Sequence, residues 1–309
     1  MIHSAGIHHV TAICGDPRRN YDFYTKTLGL RFIKKTVNFD DPGTYHLYYG
    51  DERGSPGTAL TFFPWAGSPQ GRVGSGETLA TAFIIPEPAL AFWLSRLTQK
   101  GLAPQAQKRF GADVLTFRDP DTMALELITT PGAAAIAGYG VSDVPAAHAI
   151  RGFHSVTLGV SAPADTAAVL TRGFSWKEER REGARIRYTA GGPATALGGH
   201  VDLIAAPGAA GRQGVGSVHH VAFRARDDSD QAKMVEALHP LGIAATEQKN
   251  RFYFRSVYFR EPGRVLFEIA TDAPGFTVDE PMESLGMALR LPPQYESIRA
   301  KIEAALPPL

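Results

Sequence analysis

Four times along the 309-residue chain the same order of patterns recurs. Each unit opens on an apolar, β-branched run, continues through a helix-like stretch, and closes on further strand-like runs broken by Gly, Pro and Asp. The first unit reads "IHHVTAI", then "DPRRNYDFYTKTLGL", then "RFIKKTVNF", "TYHLYYG" and "TALTFFPW". Its helix carries punctuation: Asp16 can cap, Pro17 suits the first turn, and Gly29 ends it. The second unit runs from "LATAFII" through "PALAFWLSRLTQKGL" to "KRFGADVLTFRDP" and "MALELIT". The third opens on "GFHSVTLGV", has a short helix in "APADTAAVLTRGF" and closes on "HVDLIAAP". The fourth opens on "SVHHVAF", has its helix in "DQAKMVEALHPLGI" and closes on "RFYFRSVYFREPG" and "VLFEIATD".

A unit of this size cannot bury both faces of its own sheet, so the units must pair or stack. The repeat predicts an α+β fold of four βαβββ modules forming two barrel-like sheets, each built from a pair. The Gly-, Ala- and Pro-rich stretch "PGAAAIAGYGVSDVPAAHAI" divides the chain. The expected organisation is an N-terminal domain at 1–135 with modules one and two, and a linker at 136–151. A C-terminal domain follows at 152–271 with modules three and four, then a tail at 272–309 with a helix near "YESIRAKIEAAL".

Charge and composition exclude several function classes. The formal net charge is +1 and no stretch reads as a basic patch, so no nucleic-acid partner is expected. No apolar run approaches the roughly 18 residues of a membrane span, so no membrane partner is expected either. Cys14 is the single cysteine, which excludes an intrachain disulfide and agrees with an expected cytoplasmic location.

The repeated βαβββ order resembles the vicinal oxygen chelate superfamily of glyoxalase, bleomycin-resistance and extradiol-dioxygenase proteins. In that superfamily, metal ligands come from first-strand and last-strand residues that point into the cavity of a paired module. Superposing the four first strands places Thr81, Ser155 and His220 opposite His9, with His8, Ala80, His154 and His219 one position earlier. Superposing the last strands places Phe62, Glu126, Asp202 and Glu268 in one column. Pairing in sequence order leaves one histidine in each cavity. Pairing module one with four, and two with three, concentrates His9, His220 and Glu268 in one cavity and leaves the other without histidine. Two histidines and one carboxylate with open positions form the facial triad of non-haem Fe(II) oxygenases. Zn²⁺, Mn²⁺ or Ni²⁺ can occupy similar ligands.

Longer stretches resemble one closer family. "GIHHVTAICGDPRRNYDFYTKTLGLRFIKKTVNFDDPGTYHLYYGDERGSPGTALTFFPW", "HHVAF", "RFYFRSVYFREPGRVLFEIATDAPGF" and "LPPQYESIRAKIEAALPPL" are similar to ring-cleaving dioxygenases of the hydroquinone and chlorohydroquinone type. The resemblance implies Fe(II), or alternatively Mn²⁺, held by His9, His220 and Glu268, with O₂ as co-substrate and a small aromatic substrate. It implies second-shell or substrate-contacting roles for His8, Thr11, His219, Arg251 and Tyr258. Self-association through the modules, giving a homo-oligomer, is within the superfamily's range.

Two other function classes remain open at this level. One is a glyoxalase-like lyase or isomerase on Zn²⁺ or Ni²⁺, which the apolar Phe62 in the fourth ligand column disfavours. The other is a drug-binding resistance protein without a metal, for which a facial triad has no use. Among the remaining polar positions, His154 is expected to be a buried, hydrogen-bonded structural residue. Glu126 and Asp202 are expected in salt bridges or caps.

Overall fold

The computed structural model describes residues 4–193 and 196–309. Module one comprises β1 (Ile7–Cys14), α1 (Pro17–Asp22), β2 (Arg31–Asn38), β3 (Asp41–Gly50) and β4 (Ala59–Pro64). Module two comprises β5 (Glu77–Ile85), α2 (Leu90–Gln99), β6 (Gln105–Arg109), β7 (Ala112–Arg118) and β8 (Ala124–Thr129). Module three comprises β9 (Gly152–Val160), α3 (Pro163–Ala168), β10 (Lys177–Glu182), β11 (Arg185–Thr189) and β12 (His200–Ala205). Module four comprises β13 (Val218–Ala225), α4 (Asp228–Leu238), β14 (Lys249–Asn250), β15 (Arg255–Arg260) and β16 (Leu266–Thr271). The tail ends in α5 (Arg299–Ala305). No helix among the described residues is long and apolar enough to cross a membrane.

Local chemistry explains the helix starts. The Asp16 carboxylate accepts from Arg19 N at 2.7 Å and Pro17 fills the first turn of α1. Asp227 caps α4 in the same way, accepting from Asp230 N at 2.9 Å. The hairpin β10–β11 has no counterpart in the strands read from the third unit. Its first strand is "KEERRE", every residue of it exposed. It lies at the edge of its sheet, where mixed charge protects an unpaired strand and hides the apolar signal.

The sheet order confirms the pairing that concentrates the histidines. One eight-stranded sheet runs β14-β15-β16-β13-β1-β4-β3-β2, from modules four and one. The other runs β10-β11-β12-β9-β5-β8-β7-β6, from modules three and two. Each pair joins antiparallel through its first strands, β1 with β13 and β5 with β9.

Strand alternation then sorts the faces. On the convex face Phe62 packs against Tyr24 at 4.7 Å between ring centroids, within a core that also takes Val10 and Ala12. On the concave face, Thr11 and Thr61 share a hydroxyl–hydroxyl hydrogen bond of 2.8 Å. The tail wraps the edge strand β2 of the first sheet, with Leu289 bridging to Lys35 and Phe276 packing on Tyr48. The buried Lys34 ammonium meets Asp279 at 2.7 Å and also Glu280, and Tyr45 donates to Pro307 O at 3.0 Å.

The registers correct two columns of the sequence superposition. Across the central pairs, His9 faces Ala222 and Thr11 faces His220, whereas Ala80 faces Thr157 and Ala82 faces Ser155. His9 is therefore matched by Ala80, not Thr81. Between first and last strands, Thr11 aligns with Thr61, Ala82 with Glu126, Thr157 with Asp202 and Ala222 with Glu268. The last-strand column is Thr61, Glu126, Asp202 and Glu268, with Phe62 one residue out. A strand buried on both faces, such as "ALTFFP", carries no alternation to fix its register.

The second sheet fills its concave face with ion pairs, the role expected for Glu126 and Asp202. Arg109 forks onto Glu126, with Nη2 to Oε1 at 2.8 Å. Arg187 forks onto Asp202 at 2.7 and 2.9 Å, and Arg185 adds a bond at 3.0 Å. His154 is buried with Nδ1 on Ser155 Oγ at 3.0 Å, the structural role expected of it. Asp202→Ala leaves the buried Arg187 without its partner, a change worth about 3–5 kcal/mol. Urea unfolding should show that loss; a loss under about 1 kcal/mol contradicts a structural role for the pair.

Candidate metal centre

The first sheet brings three buried side chains to one point. His9 Nε2 lies 3.2 Å from His220 Nε2 and 3.4 Å from Glu268 Oε2. His220 Nε2 lies 2.9 Å from the same oxygen. Each residue is at least nine-tenths buried. Three ligands held at right angles about 2.1 Å from a common ion lie about 3.0 Å apart, and about 3.4 Å apart in a tetrahedral set. The observed spacings match that requirement.

Hydrogen-bond accounting makes the same point. His9 Nδ1 meets His8 Nδ1 at 2.9 Å, and His220 Nδ1 meets His219 Nδ1 at 2.8 Å. With the ring proton of His9 and of His220 assigned to Nδ1, both Nε2 atoms present lone pairs to the centre. Glu268 Oε1 accepts from Ser256 Oγ, while Oε2 is buried without a hydrogen-bond partner. Two lone pairs and an orphaned carboxylate oxygen facing one another repel unless a cation lies between them. Burial lowers the His220 pKa and so favours its neutral form. Burial alone would raise the Glu268 pKa, but positive charge on the neighbouring His9 and His220 rings holds it well below the usual range, and a cation bound between neutral rings would do the same. A neutral His220 beside an ionised Glu268 matches the protonation states that ligation needs.

The paired histidines owe their places to two β-bulges. From Ile7 to His9 the first strand advances two residues while its partner advances one, from Phe223 to Ala222. Between Thr11 and Ala12, the partner advances two, from His220 to Val218. The extra residues are His8 and His219. The second sheet keeps both bulges, at Leu79 and His154.

Equivalent in the ladder, His8 and His219 differ in surroundings. His219 lines the cavity beside Phe63 and Trp65. Burial and the neighbouring His220 push its pKa down to about 3. His8 lies behind His9 against the Phe254 ring, outside the cavity lining.

The cavity holds about 300 Å³ and opens between the β2–β3 turn and β14. Phe39, Phe63, Trp65 and Phe254 form its aromatic walls. Arg251 and Tyr258 both line it, with Arg251 Nε donating to the Tyr258 hydroxyl at 3.2 Å. Arg251 also bonds Asp40 at 2.8 Å and so joins modules one and four at the mouth. Thr11 does not reach the cavity lining. It sits one hydrogen bond behind Thr61, which meets His46 Nε2 at 2.8 Å.

His46 and Tyr48 also line this cavity and were not among the sequence candidates. They lie on β3, away from both histidine motifs. Their signal is visible only when third strands are compared, because Tyr48 pairs with Thr61 as Tyr258 pairs with Glu268.

A profile of the Glyoxalase/Bleomycin resistance protein/Dioxygenase superfamily matches residues 6–127 and 152–269. The chain belongs to that superfamily. It is 44% identical over 304 residues to MhqO of Bacillus subtilis (strain 168), whose name describes a ring-cleaving dioxygenase, covering 98% of this chain and 96% of MhqO. It is 34% identical over 305 residues to the chlorohydroquinone/hydroquinone 1,2-dioxygenase of Sphingobium indicum, covering 96% of this chain and 94% of that protein. A crystal structure from Bacillus subtilis, titled as a dioxygenase, matches at TM-score 0.93 and 42% identity over 100% of this chain and 98% of its own. Glyoxalase I from Zea mays matches at TM-score 0.64 and 16% identity, covering 86% of this chain and 92% of that one, and shares the fold.

A divalent ion bound between these groups stabilises the folded chain by mass action, about 2.7 kcal/mol at a hundredfold excess over Kd. Thermal unfolding with and without Fe(II) or Mn²⁺ should show an upward shift in Tm. Glu268→Ala and His220→Ala should abolish both that shift and stoichiometric metal binding. Full metal content in either variant rules out the ligand set.

Proposed function

We propose that this chain is a ring-cleaving dioxygenase that opens a hydroquinone-type ring with O₂, using Fe(II) held by His9, His220 and Glu268. The observation that carries this reading is the buried trio with its orphaned Glu268 oxygen, at the end of an aromatic-walled cavity. Full-length similarity to a chlorohydroquinone/hydroquinone dioxygenase supports the substrate class. Bound there, ferrous iron supplies the one-electron chemistry that lets a closed-shell ring react with O₂.

The protein's own groups do the rest. Phe63, Trp65 and Phe254 bury the flat ring and exclude water from its faces. His219 takes the His220 Nδ1 proton as acceptor, so its own proton sits on Nε2. It donates a hydrogen bond to a reacting oxygen. Arg251 can only donate, so the Tyr258 oxygen accepts from it and the phenolic proton points to the substrate hydroxylate. His8 keeps His9 oriented through the Nδ1 pair, and Thr11 anchors Thr61 in the same supporting way.

The glyoxalase-like alternative needs a fourth ligand from the last-strand column. Thr61 occupies that position in module one, and its hydroxyl is already engaged by Thr11 and His46. This replaces Phe62 as the reason a four-ligand site is disfavoured.

Anaerobic reconstitution with Fe(II), followed by O₂ uptake with methylhydroquinone, chlorohydroquinone and catechol, tests the reading. Uptake equimolar with a hydroquinone is expected, and no metal-dependent uptake across the panel ends the proposal. A parallel reconstitution with Mn²⁺ compares the two metals. His219→Gln should keep its metal and lose about 10²-fold in kcat, the cost of one donor to a developing oxyanion. An unchanged kcat removes His219 from the mechanism.

A further inference from the structure

Tyr48 and Tyr258 stand at matching register positions on the two hairpins that wall the cavity, opposite Thr61 and Glu268. Their hydroxyls have different chemistry. Tyr258 is tied to a guanidinium, which fixes it as an acceptor there and a donor elsewhere. Tyr48 meets His46 Nδ1 at 2.8 Å, His46 Nε2 meets Thr61 Oγ1 at 2.8 Å, and Thr61 meets Thr11 Oγ1 at 2.8 Å. Every member of that chain can both give and take a proton, so the direction of the whole chain can reverse. The Tyr48 oxygen can then accept from a neutral hydroxyl or donate to it.

The chain has no part in holding the ion, since none of its members belongs to the trio. His46 is held on all sides: both ring nitrogens are bonded, and its ring lies 4.1 Å from Tyr48 and 4.3 Å from Phe63. A side chain so fixed has little freedom except to orient Tyr48. Both residues border the cavity.

A dihydroxybenzene brings one hydroxyl to the trio and carries a second that remains neutral. Between Phe63, Trp65 and Phe254 that second hydroxyl needs a partner, because a buried unpaired hydroxyl costs more than a made hydrogen bond returns. Resting on the dioxygenase reading above, we infer that the Tyr48 hydroxyl receives the substrate's second hydroxyl, with His46 as its positioning residue. The pair thereby selects a ring bearing two hydroxyls over a ring bearing one.

The experiment is anaerobic binding of hydroquinone and of phenol to the Fe(II)-loaded protein by calorimetry, alongside O₂ uptake by the wild type. Tyr48→Phe should weaken hydroquinone about three- to tenfold, the worth of one neutral hydrogen bond, and leave phenol and metal content unchanged. His46→Phe keeps a ring in place and should weaken hydroquinone selectively in the same direction. Equal weakening of both ligands, or of neither, overturns the inference. If the wild type consumes O₂ with hydroquinone while Tyr48→Phe fails to discriminate, this inference alone falls. If the wild type neither binds hydroquinone nor consumes O₂ with it, the dioxygenase reading falls with it.

Discussion

The antiparallel ladder between β1 and β13 is the contact on which the site depends. It sets His9 opposite Ala222 and Thr11 opposite His220, so that both second histidines of the twin motifs face one cavity. Two bulges in that ladder insert His8 and His219; each shifts the pairing by one residue, on opposite strands, so the shifts cancel on either side of the His9–Thr11 segment. The paired histidines then support each other through Nδ1–Nδ1 contacts, and the Nε2 that each second histidine turns to the cavity is oriented by the residue just before it. A one-residue slip of either strand in this ladder would turn its imidazole away from the cavity and into the apolar core, separating the pair.

The two sheets share this architecture and differ in what balances their buried carboxylates. In the second sheet Glu126 and Asp202 stand at the positions equivalent to Thr61 and Glu268, and arginines satisfy them. In the first sheet Glu268 has no arginine. It has one serine hydroxyl and two imidazole edges, and one of its oxygens lacks a hydrogen-bond partner. The same scaffold therefore sets guanidinium groups beside its carboxylates on one side and, on the other, a trio with the spacing to hold a metal ion. Elsewhere in the chain a buried carboxylate rests on neutral donors alone: Glu261 accepts from Thr166 Oγ1, Gly263 N and Val265 N, so that both of its oxygens are satisfied, as Glu268 Oε2 is not.

The repeat, the twin histidine motifs and the carboxylate near the end of module four were readable because they rest on residue type and order. Other features were not. The strand β10 is charged along its length and sits at an edge, so no apolar pattern announces it. Thr81 and Phe62 were each matched one residue away from the true register. Bulges shift alternation in β1 and β5, and β4 is apolar on both faces. His46 and Tyr48 belong to no motif and join the cavity only when β3 pairs with β4.

What the sequence determined by itself is the module, its fourfold repetition and the supply of two histidines and a glutamate as ligand candidates. These follow from local pattern and side-chain chemistry. The tertiary structure decided how the modules pair, which neighbour of each ligand meets the cavity, and which third-strand groups complete the wall. Those depend on strand register between segments some two hundred residues apart, and register is set by packing across the whole sheet rather than by any single segment.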